Sequence, residues 1–116
     1  MMTMITLLLA QGPGKPDGDV HDRLVLNLVL NSHGHIDTQA YDNTPRPWLA
    51  SRENGSTTKA LEVIRVDESW ALQSTEDLDD PIWMFEGHVY RPGELVQLRR
   101  PDGEQLLFRI VAVDAG

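Results

Sequence analysis

Apolar and polar residues alternate with a period of two along most of this chain. Leu24, Leu26, Leu28 and Leu30 share one face of a run whose other face carries Val25, Asn27, Val29 and Asn31. Successive side chains of a strand point to opposite sides of its sheet, so this run predicts an inner strand with one fully buried face. A helix would scatter the same leucines around its circumference. Near the end of the chain, Leu106, Phe108, Ile110 and Ala112 alternate with Gln105, Leu107, Arg109, Val111 and Val113, and Val96 and Leu98 share a side of the run before them. These two runs flank Pro101-Asp102-Gly103, residues suited to a type I turn closed by a glycine bulge, and predict a hairpin over Leu95 to Val113.

The remaining segments agree. "ALEVIRV" (Ala60 to Val66) is rich in β-branched residues, Trp70 and Leu72 alternate in "SWALQ", and "PIWMFEGHVY" (Pro81 to Tyr90) is another extended run. A helix over Thr58 to Ser74 is the competing reading. Its apolar positions form no clean stripe, and Val63, Ile64 and Val66 favour a strand. The opening "MMTMITLLLAQ" also reads as a strand. Turn residues punctuate these runs: a Gly/Pro-rich loop at 12–19, Asn54-Gly55 as a two-residue hairpin turn with positive φ at both positions, and Pro92-Gly93 as a type II turn. Short strands at this spacing predict an all-β fold, a small antiparallel barrel or two-layer sandwich of about seven to nine strands with room for one short helix. Leu26, Leu28, Val63, Trp83, Phe108 and Ile110 are the expected core, joined by Trp70.

Length and composition narrow the class. At 116 residues and 41% hydrophobic content, the chain suits one compact domain over 1–116 with one core. It contains no cysteine, which removes disulfides, thiolate metal sites and cysteine nucleophiles together. A net charge of -8 opposes a phosphate backbone, so no nucleic-acid partner is expected. The opening apolar run is too short to span a membrane and lacks a basic leader segment, which predicts a soluble, cytoplasmic protein without a membrane partner.

Chemistry-bearing patterns are few. Residues 32–37 read "SHGHID", directly after the leucine run. Imidazole and carboxylate suit zinc, and His33-Gly34-His35-Ile36-Asp37 resembles the metal-binding signature of the metallo-β-lactamase family. That resemblance implies a zinc site, with His33, His35 and Asp37 as ligands in a metal-dependent hydrolase or metal-binding protein. It covers six residues, the family's next histidine is Thr38 here, and that fold needs roughly twice this length. The alternative is a tight turn in which Gly34 takes positive φ and Asn31 or Ser32 bonds back to the backbone, leaving both histidines in solvent.

No nucleophile elbow or phosphate-cradling glycine spacing is present. "GPGKPDG" lacks the glycine-lysine-hydroxyl ending of a phosphate loop, and the acidic group Glu76, Asp77, Asp79 and Asp80 lacks the glycine and distal glutamate of a calcium loop. Tyr41 and Trp48 flank the proline-bearing loop "DNTPRP", where a tryptophan serves either as a lid over the core or as a partner-facing anchor. With Asn43 and Arg46 they form the candidate binding residues. The sequence therefore predicts a non-enzymatic binding or assembly module without a cofactor, acting through loops or an exposed strand edge on a protein or a small molecule. Self-association is compatible with it, and a ligand in the mouth of a barrel is a further expectation.

Overall fold

The computed structural model describes residues 2–43 and 47–115. Eight antiparallel strands follow one another around a closed barrel: β1 (Thr3–Gln11), β2 (Asp19–Leu28), β3 (Trp48–Asn54), β4 (Thr57–Val66), β5 (Ser69–Ser74), β6 (Trp83–Gly87), β7 (Leu95–Arg99) and β8 (Gln105–Ala115). Among the described residues one helix, α1 (Thr38–Asn43), lies between β2 and β3. Closure comes from β1 pairing with β8, with Ile5 opposite Val113 and Leu9 opposite Phe108. Every strand then has a neighbour on both sides, so the exposed strand edge expected from the sequence does not form.

Period-two alternation places one side chain in two inside. Ile5, Leu7, Leu24, Leu26, Leu28, Val63, Phe108 and Ile110 are essentially inaccessible and belong to one continuous cluster. An eight-stranded barrel is just narrow enough for side chains to fill it, which is what these residues do through most of its length. The predicted C-terminal hairpin forms between β7 and β8: Arg100 and Glu104 close the turn through an N···O contact of 2.9 Å, and Gly103 has φ +93°.

Several local expectations shift. The β3–β4 turn is centred one residue later than predicted, on Gly55-Ser56, with Asn54 paired to Thr57; only Gly55 has positive φ. That is the pattern of a type II′ turn, which also matches the twist of the flanking strands. Ala112 leaves the inner face because β8 bulges at Val111: Leu7 pairs with Ile110 but Thr6 with Ala112, and Val113 packs on the core instead. The run expected over Pro81 to Tyr90 is a strand only from Trp83 to Gly87. Beyond it the chain leaves the sheet, and the Tyr90 N–H donates to the Gly34 carbonyl at 2.8 Å.

Candidate functional site

The two ends of the barrel are built differently. At one end, α1 and the preceding turn fold across the opening. Asn31 organises this turn: its side-chain oxygen accepts from the His33 and His35 N–H groups, and its own N–H donates to the His35 carbonyl at 2.8 Å. Gly34 has φ +79°, and a Cβ there would come within 2.9 Å of Val89 Cγ1. Leu30 and Ile36 bridge the two sides of the turn. Asp37 then starts the helix, accepting from the Ala40 N–H at 3.0 Å in an N-cap contact.

This geometry separates the metal-candidate side chains. His33 and His35 are exposed; the His35 Nδ1 lies 2.7 Å from the His88 carbonyl oxygen, and Asp37 is engaged with the helix. Among the described residues, no three His, Asp or Glu side chains converge as a metal site would require.

Tyr41 and Trp48 belong to the same end, as the lid arrangement. The Tyr41 ring stands edge-on to Trp48 at 4.9 Å and to Trp70 at 5.0 Å, while the two indoles stack at 5.9 Å with 11° between planes. Trp48 is 0% exposed and does not present a surface anchor. Asn43 is exposed at the end of α1, and Arg46 lies outside the described residues. Tyr90 completes the seal. Burial pushes its hydroxyl well above the usual tyrosine range, partly opposed by a hydrogen bond from the Gly87 backbone.

The opposite end is open. A cavity of about 280 Å³ enters the barrel there, with an apolar floor of Leu24, Leu61, Leu72 and Leu98. Nearer solvent, the inward-facing positions become polar: Arg52 continues the Trp48-Ala50 face of β3, Lys59 the Leu61-Val63 face of β4, and Ser74 the Trp70-Leu72 face of β5. Arg100 and Trp83 also line the wall. Trp83 is therefore a half-buried mouth residue and not the fully buried core residue expected from its alternation.

No protein-family model, characterised protein or solved structure matches this chain.

Arg52 is fixed by Asp22, its Nε and Nη2 donating to the two carboxylate oxygens at 2.9 and 2.7 Å. Asp22 is only 2% exposed, so the fork holds a buried carboxylate and locks the guanidinium plane. The β2 irregularity supports this placement: the partner of β1 jumps from Arg23 at Leu8 to Asp19 at Leu9. Arg52 and Arg100 also lie over the Trp83 ring, at 5.9 and 5.1 Å from its centroid. Sequence reasoning missed these residues because Arg52, Lys59 and Arg100 look like ordinary surface cations. The available signal was positional, since Arg52 and Lys59 continue the core-facing parity of their strands, and Arg100 that of β7 one residue past its end, all at the same end of the barrel.

Proposed function

We propose that this protein binds a small molecule in the open mouth of its barrel. The supporting observation is the contrast inside one sheet: aromatic packing fills the α1 end, whereas about 280 Å³ at the other end is left between an apolar floor and polar walls. Concave sites with mostly apolar linings and a few convergent polar groups are the usual form of small-ligand pockets. The volume lies just below the usual range of about 300 to 1,000 Å³ and suits a compact ligand.

A panel of small fragments, neutral and charged, tests this reading by amide NMR on the intact protein. Hits should shift signals of Arg52, Leu61, Trp83 and Arg100, and Thr57→Trp, which adds bulk at the exposed rim, should weaken them. Absence of mouth-directed hits across the panel, or hits insensitive to Thr57→Trp, would contradict it. The protein-partner alternative would instead use the outer surface, where Leu95 and Val111 are exposed. A concentration-dependent solution mass would point to self-association through such a surface.

A further inference from the structure

We infer that the mouth selects an organic anion: a small acid whose charged group meets Arg52 and Arg100 and whose apolar body rests on the leucine floor. This rests on the mouth being the binding site, and adds the chemical class of its ligand.

The cations of the mouth are not equivalent. Arg52 uses Nε and Nη2 on Asp22, while its Nη1 donates to no acceptor among the described residues. Arg100 donates from Nη1 to Glu104 at 3.3 Å, but its buried Nε has no hydrogen-bond partner among those residues; the Asp102 carboxylate oxygen stands 3.9 Å from it. That Nε is closed to solvent as well, so the donors left for a ligand oxyanion are Nη1 of Arg52 and Nη2 of Arg100, neither of which donates to an acceptor among the described residues. Arginine suits this task because its planar donors match carboxylate and phosphate oxygens.

The acidic groups around the mouth do not cancel this preference equally. Asp22 is buried and committed to Arg52, which it orients. Asp80, Asp102 and Glu104 are solvent-accessible at 37%, 59% and 38%, and their pairs with Lys59 and Arg100 are 3.3 to 3.9 Å long. Exposed pairs of this kind contribute little and are screened by salt, so an incoming anion can replace them. Lys59 then adds an exposed charge at the rim.

Size and floor define the rest of the ligand. A dry cavity of about 150 Å³ accommodates benzene, so the observed space of about 280 Å³ suits a ring or short branched chain carrying one acidic group. The Trp83 indole offers a flat wall, already turned toward both guanidinium groups.

The test compares phenylacetate with phenylacetamide, which share shape but differ in charge, by NMR or calorimetric titration of the intact protein. Phenylacetate should bind about tenfold tighter, the difference expected between charged and neutral hydrogen bonds. Added salt should weaken the acid and spare the amide. Arg100→Gln should reduce the preference to about threefold or less, whereas Arg65→Gln, beside Trp70 at the sealed end, should leave it intact. If Arg100→Gln fails to fold, the salt dependence of the unaltered protein decides. Phenyl phosphate forms a parallel arm: tighter binding than phenylacetate assigns the site to phosphate monoesters within the same anion class. Equal affinity for acid and amide at the same mouth residues would overturn the anion inference while leaving the mouth reading in place. Binding of neither acid, amide nor phosphate would overturn the inference outright, with the fragment panel deciding the mouth reading separately.

Discussion

The sealed and open ends of this barrel use the same alternating strands to opposite effect. At the sealed end the inward positions carry Trp48 and Trp70, and Tyr41 descends from α1 to cover them. At the open end, the inward positions of β3, β4 and β5 carry Arg52, Lys59 and Ser74, with Arg100 across the barrel, leaving space between them. Apolar aromatics gain by excluding water and filling volume; a guanidinium gains only when its donors find acceptors. One end is thereby closed by packing, and the other keeps an open cavity.

The largest expected effect lies in the seal. Trp48→Ala removes a fully buried indole and should cost about 3 to 5 kcal/mol in denaturant unfolding. Trp48→Phe should cost far less, about 1.5 kcal/mol or below, because the indole N–H it removes has no hydrogen-bond partner among the described residues. Equal losses for the two variants would mean that the N–H is satisfied and contributes to stability.

Next is the pair beneath the mouth. Arg52→Met strands the buried Asp22 carboxylate and should cost about 2 to 3 kcal/mol, at or below the lower end for buried pairs because Arg52 reaches the open cavity. Combining it with Asp22→Leu should recover most of the loss. A double variant less stable than Arg52→Met would show that the pair contributes more than mutual compensation.

Tyr90 gives the seal a pH signature. Its hydroxyl retains a proton in the fold at a pH where an unfolded tyrosine, with a value of about 10, has lost it. The unfolded state then binds fewer protons, so this contribution is complete below about pH 10 and is lost as pH rises beyond it, at up to about 1.4 kcal/mol per pH unit. Stability measured across that range should fall less steeply for Tyr90→Phe. Parallel slopes would show that Tyr90 ionises without unfolding.

The smallest pair of effects concerns the turn before α1. Gly34→Ala should cost about 1 to 2 kcal/mol, combining positive φ with the close approach to Val89, whereas His33→Ala should change stability by less than about 0.5 kcal/mol. The reverse order, or stabilisation of the unaltered protein by stoichiometric zinc, would return His33, His35 and Asp37 to the metal reading.

Much of this architecture was legible because alternation is a direct consequence of sheet geometry. The leucines of β2, the β7–β8 hairpin and the turn glycines each identify themselves locally. The turn between β4 and β5 does not: Asp67 occupies φ +56° without a glycine to mark it. Closure of β1 on β8, the bulge at Val111 and the departure of the chain after Gly87 depend on distant partners, so no local pattern announces them. The candidate site was harder still. Tyr41 and Trp48 drew attention as aromatics beside a proline-bearing loop, yet the fold turns them into a seal. Arg52 and Arg100 acquire their meaning only when neighbouring strands bring them to one mouth and place both over Trp83.

The three tryptophans provide the most direct test of this division of labour, because Trp83 belongs to the mouth and Trp48 and Trp70 to the seal. In a phenylacetate titration followed by indole N–H NMR signals, the account predicts a saturable shift of the Trp83 signal while those of Trp48 and Trp70 remain fixed. Saturable shifts at Trp48 and Trp70 with Trp83 unchanged would place recognition at the opposite end and contradict it.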